Sequence, residues 1–372
     1  MEGLEAVAVK ILIGEVARRF INWLLRRRPT ETKGIEISAL GSKSDIINLG
    51  TMNIMNVTNV NHPNGWATTD DQEKKGRFEV AHGYLDNEDY AQAIHAFEKC
   101  FAVATTDSER SSLHSYIASC FVILGRLDIA KGHCQEAEMV AQDARDLHGL
   151  AVAAAIYATI LFIRQDPETL KYFNKARELS QQAGYKEAEV SALIGSTLYH
   201  ILKASYDEEC RAIAWQNIRY ALELAESAGD EPGQAGSLAI MALLHLLEGQ
   251  LPQAMEVSSK AISIARKTGQ RSLLASTLLI SGIILLISDT SGHIEKVLPI
   301  FQEGLAISKN IGHRVLQAIY LSVSSDVLGR MGERKQALEF AREAQQIFQE
   351  LGADVFKDEV ARDVQRLSNE EA

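Results

Sequence analysis

The sequence predicts an all-α chain: a superhelical solenoid of about seven helix pairs, preceded by an amphipathic helix and a short β-prone segment. Three observations predict it. Small side chains recur about 40 residues apart over most of the 372 residues. Glycines stand where one helix should end and the next begin. The chain is 46% hydrophobic but only 6% aromatic, a composition that suits helices packed closely on one another. The elements divide as residues 1–28, an amphipathic helix; 29–71, a linker; and 72–368, the repeat array.

In the first element Val9, Leu12, Ile13, Val16, Phe20, Trp23 and Leu24 recur at helical spacing. Lys10, Glu15, Arg18, Arg19, Asn22 and Arg26 fall largely on the other side. Arg26-Arg27-Arg28-Pro29 ends the helix, because proline disfavours helical geometry at the residue before it. Residues 1–34 carry seven basic and four acidic groups, so this end is +3 and the remainder −14. The run from Leu4 to Leu25 approaches membrane-spanning length, but Lys10, Glu15, Arg18 and Arg19 make spanning costly. Three roles stay open. The helix lies on an anionic membrane with Trp23 at the interface, packs on partner helices, or docks onto its own repeat array.

The linker contains the least typical stretch, Ile46 to Asn61. No charged side chain occurs between Asp45 and Asp70, and six of the twelve asparagines (48, 53, 56, 59, 61 and 64) crowd there. Ile, Leu, Met and Val lie between them, with no proline inside 46–61. Uncharged, β-prone segments with ladder-forming amides have the composition of a steric zipper. Ile47, Asn48, Leu49 and Gly50, then Asn53 and Met55, resemble the RIP homotypic interaction motif. Asn48 stands where that family usually has Gln. The resemblance covers about ten residues. It implies homotypic, amyloid-type assembly with further copies or with proteins bearing like motifs, and a place in immune or cell-death-like signalling. The plainer alternative is an Asn-rich tether.

The array follows. Second helices contain Ala93/Phe97, Ala130/Cys134, Thr169/Phe173, Ala214/Ile218, Ala254/Ser258, Val297/Phe301 and Ala337/Ala341. A further small residue comes next in each: Cys100, Ala137, Ala176, Ala221, Ala261, Gly304 and Ala344. Gly184, Gly229, Gly269, Gly312 and Gly352 are the stops, and Gly125, Gly249 and Gly332 mark turns within pairs. Leu124-Gly125-Arg126-Leu127, Met331 to Ala337 and Asp89 to Phe97 resemble the tetratricopeptide repeat in a longer form. The resemblance covers about 300 residues. Small residues are needed because neighbouring helices approach only where no bulky side chain intervenes. The resemblance implies a concave groove that takes a peptide or helix. The Lys/Asn pattern of the family's carboxylate clamp is absent from Arg77 to His82. The apolar run 273–287 reads as a buried repeat helix rather than a membrane span.

Net charge of −11 argues against general nucleic-acid binding. Cys100, Cys120, Cys134 and Cys210 lie in helical patterns without metal-ligand spacing, as buried reduced thiols of a cytoplasmic protein would. His133-Cys134 reads as core packing. No phosphate-cradling glycine loop, nucleophile elbow or His-Glu-x-x-His occurs, so no enzyme, cofactor or metal is implied. Two functions are expected from these readings. One is a signalling adaptor that assembles through 46–61. The alternative is a scaffold that binds a partner in its groove.

Overall fold

The computed structural model describes residue 66 and residues 71–164, 166–204, 208–288 and 296–369. The amphipathic stretch 1–28 and the segment 46–61 lie outside the described residues. Fifteen helices stand among those described. Seven pairs run α1 (Gln72–Asp86) with α2 (Tyr90–Cys100), α3 (Asp107–Ile123) with α4 (Leu127–Ala144), α5 (Leu147–Ile163) with α6 (Thr169–Ala183), and α7 (Lys186–Ala204) with α8 (Glu208–Ala228). Then come α9 (Glu231–Leu247) with α10 (Leu251–Thr268), α11 (Arg271–Ser288) with α12 (Leu298–Asn310), and α13 (Arg314–Met331) with α14 (Arg334–Glu350). The unpaired α15 (Asp354–Asn369) packs on α14 and closes the C-terminal end.

Local chemistry explains the boundaries. Asp71 caps α1 by accepting from the backbone N of Glu73 and Lys74 at 3.0 and 3.1 Å. Thr106 and Glu109 form a reciprocal capping box on α3. Asp146 and Asp230 cap α5 and α9. All eight glycines predicted at stops and turns have φ between +66° and +85°, a region open to glycine because it has no Cβ. Glu88 and Arg145 take the same left-handed position with side chains.

The predicted small-residue anchors are the core. Ala93, Phe97, Ala130, Phe173, Ala214, Ile218, Ala254, Phe301 and Ala337 are fully buried. Val297 is buried too, but it sits at the N-cap of α12 rather than within the helix. Of the cysteines, 100, 120 and 134 are buried and Cys210 is half-buried. The run 273–287 falls in α11, whose apolar residues are covered by neighbouring repeats. No helix among the described residues is long and apolar enough to cross a membrane.

Candidate functional site

First and second helices differ in how they are used. Successive first helices, from α3 to α13, contact one another, and so form a continuous inner layer. The second helices bury one face only: α10 buries Ala254, Ser258, Ala261 and Ala265, whereas α5 buries nearly every residue from Gly149 to Ile163. The inner layer buries many small and hydroxyl side chains. Thr159, Thr197 and Ser276 donate back to carbonyls of their own helices at 2.7–3.0 Å. Ser325 Oγ crosses to the Ala337 carbonyl at 2.7 Å. The hydroxyls of Ser115, Ser237, Ser281 and Ser324, on four different first helices, are buried without a hydrogen-bond partner. A buried hydroxyl left unpaired is disfavoured by roughly 1–3 kcal/mol. On α13 a buried ion pair, Asp326 Oδ2 with Arg330 Nε at 2.9 Å, adds charge to this layer.

The strip of helices closes on itself after about five repeats. The turn between α1 and α2 meets the start of α11. Glu88 Oε2 accepts from Arg271 N at 2.9 Å and Arg271 Nε at 3.1 Å, and Oε1 accepts from Ser272 N at 2.7 Å. Arg271 also donates to the Asn87 carbonyl and, at 2.5 Å, to Asn310 Oδ1. A carboxylate at a helix N-terminus satisfies free N–H groups and meets the positive end of the helix dipole. A cavity of about 190 Å³ lies beside this contact, lined by Leu85, Asp86, Tyr90, Thr268, Gln270 and Ser272 among others. One repeat further on, the turn at Gly125 meets Arg314 and Leu351, and Leu124 lies against Gly312. Arg314 in turn pairs with Glu350. The two edges of the helical strip thus touch at two successive turns, which form a seam.

The N-terminal end is finished by Trp66. Its ring, in the stretch read as linker, is fully buried and stacks on Phe78 at 5.0 Å between centroids. Lys74 lies 5.2 Å over the same ring. Lys74 is itself buried, paired with Glu109 and hydrogen-bonded to Thr105 Oγ1 at 2.9 Å. Burial opposes the Glu109 charge, but Lys74 and the backbone N–H groups of Thr105 and Thr106 outweigh it and hold the carboxyl below its usual range. The lysine nearest the start of the array is thus committed to structure, in keeping with the absent carboxylate clamp.

His133, next to Cys134, faces His114, with the two Nδ1 atoms 3.0 Å apart. Burial lowers both pKa values, and for His114 the His133 charge adds to it. The rings are therefore neutral near pH 7, one donating to the other. Burial pushes the Cys134 thiol up. No group of three or more His, Cys, Asp and Glu converges as a metal site among the described residues.

Ile47, Asn48, Leu49, Gly50, Asn53 and Met55 lie outside the described residues, as do Val9, Leu12, Ile13, Val16, Phe20, Trp23 and Leu24. The seam was not anticipated. Its one sequence signal is Glu88, which occupies the turn position that Gly125, Gly249 and Gly332 hold in other repeats.

No protein-family model matches the chain, and no curated protein does. Solved structures do. A Rap protein complexed with Competence and Sporulation Factor superposes with a TM-score of 0.59 at 13% identity, over 91% of this chain and 96% of that one. The apo form of RapI gives 0.51 at 13% identity, over 75% of this chain and 99% of that one. At such identity the likeness is one of fold. The chain has the tetratricopeptide-type helical-repeat architecture.

Proposed function

We propose that this chain is a non-enzymatic interaction scaffold that holds an extended peptide or a helix against the inner layer of its superhelix. The observation that carries the reading is the continuous layer of first helices, α3 to α13, wound as in a Rap protein of like architecture. The fold adds support, since a Rap protein of like architecture was solved with Competence and Sporulation Factor bound. Selection of random linear peptides on the full-length chain, followed by titration, tests it. Enriched peptides should bind one to one at micromolar concentration or tighter. A selection that enriches nothing, or only peptides that bind a denatured control equally, would overturn it.

A second reading concerns assembly. The uncharged stretch between Asp45 and Asp70, with half of the chain's asparagines, favours homotypic cross-β stacking through 46–61. In this reading the array senses or carries a partner, and the segment recruits further copies. Full-length protein should then form thioflavin-positive fibrils that seed fresh monomer. Replacing residues 47–50 with alanine should abolish them. Wild-type protein that stays dispersed under seeding would eliminate this reading.

A further inference from the structure

A solenoid needs a cover at each end, because its terminal helices lack the neighbour that buries their outer face. At the C-terminal end α15 supplies it. At the other end α1 buries only Lys74, Ala81 and Leu85, while α13 buries everything from Val315 to Leu328. Val80 is 57% exposed and Tyr84 38%. Gly76 and Gly83 lie on the same face as Val80, four residues before it and three after it, and nothing stands within 4 Å of where their Cβ atoms would be.

Elsewhere in the molecule a first helix receives the preceding second helix in just this manner. Gly195 of α7 forms the notch that admits the ring of Phe173 from α6, and between α12 and α13 the roles reverse, with Gly304 of the second helix lying under Tyr320 of the next first helix. On α1 the notches are present and no described ring fills them. Trp66 covers Phe78 and Lys74 on the opposite side of α1, so the chain that precedes the array arrives at this end.

We propose that the Gly76–Val80–Gly83 face of α1 is the docking site for the apolar face of residues 1–28, which serves as the missing preceding helix. Phe20 and Trp23 are the bulky side chains for the glycine notches. Charge agrees with this assignment: residues 1–34 are +3, and exposed Asp86 and Glu79, the latter 4.0 Å from Lys75, border one side of the face. The tether suits it as well. Residues 29–65 are long enough to return residues 1–28 to α1.

The test uses the full-length chain with Cys210→Ser, leaving the three buried cysteines in place. Phe20→Cys is combined with Val80→Cys, and separately with Met139→Cys, an exposed site on α4. Under mild oxidation the 20/80 pair should close an intramolecular disulfide at least fivefold more fully than the 20/139 pair. Since Val80 is exposed, Val80→Asp should leave the fold intact. In a protein carrying Val16→Cys and Tyr84→Cys it should reduce cross-linking several-fold. Equal closure at residues 80 and 139 overturns the proposal. So does a covalent dimer, which would make a second copy the occupant. So does vesicle binding through residues 1–28, on phosphatidylserine-containing membranes, with no 20/80 closure in their absence.

Discussion

Glu88 caps a helix that begins 183 positions later in the chain: its carboxylate takes the backbone N–H of Arg271 at 2.9 Å and that of Ser272 at 2.7 Å. The contact joins the first repeat to the sixth and fixes how tightly the superhelix winds. Glu88→Gln keeps the shape but loses the charge-assisted bonds, so stability should fall by about 2 kcal/mol. Arg271→Ala should lose less, because the Arg271 side chain is 42% exposed. Small-angle scattering of Glu88→Gln should show a larger radius of gyration. An unchanged radius with unchanged denaturation midpoint would mean that the seam does not hold the turn.

Gly125 and Gly184 separate the seam from ordinary turn strain. Both have positive φ, +74° and +67°. Alanine at 184 meets nothing within 4 Å, so only the left-handed conformation opposes it, by about 1–2 kcal/mol. Alanine at 125 would place its Cβ 2.5 Å from Leu351 Cδ2 and 3.1 Å from Arg314 Cβ. Gly125→Ala should therefore exceed Gly184→Ala by a further ~1–2 kcal/mol in chemical denaturation. Equal losses would place Gly125 outside any contact.

Within the helices the same comparison reports on packing. Gly195→Ala drives a methyl into the Phe173 ring and should destabilise by about 1–3 kcal/mol. Gly132, on α4, has open space around it, and Gly132→Ala should stabilise by about 0.5–1 kcal/mol. Thermal unfolding of the pair gives opposite signs if the helix contacts are as described.

His313 gives stability a pH dependence. It caps α13 through Nδ1, which accepts from Leu316 N at 3.4 Å, while its Nε2 is buried without a partner. Complete burial lowers its pKa to about 3. The folded state keeps the ring neutral, and the unfolded chain protonates it near pH 6.5. Its contribution is therefore complete above about pH 6.5 and is lost progressively toward about pH 3. His313→Asn, which can still cap, should flatten the fall in melting temperature over that range. An identical pH profile in the variant would show that His313 does not titrate on unfolding.

The periodic part of the fold was legible because its cause is local. Small anchors such as Ala93 and Ala254 and stops such as Gly269 act within one helix or between neighbours in sequence. The winding was not legible, because it depends on pairs such as Glu88 with Arg271 that no periodicity links. Trp66 was hidden for a related reason. It stands alone in an uncharged stretch, and only α1 shows that Phe78 and Lys74 await it. The inner layer was foreseen as a groove, but its unpaired hydroxyls were not, since a serine in a helix reads the same whether or not it finds a partner. The segment 46–61 and the apolar face of 1–28 are legible as chemistry, through composition and spacing alone.

The unpaired hydroxyls separate stability from binding. Ser237→Ala and Ser281→Ala remove an unsatisfied group, so the free protein should be unchanged or more stable by up to ~1 kcal/mol. Because both hydroxyls are enclosed in the helix packing, affinity for a selected peptide should be unchanged in each. A several-fold loss of affinity would show that a bound peptide reaches them.

The most direct measurement is hydrogen–deuterium exchange of the full-length chain with and without a selected peptide. The account predicts slowed exchange along the first helices α9, α11 and α13, with α10 and α14 unchanged. Protection confined to second helices, or none along the inner layer at saturating peptide, would contradict it.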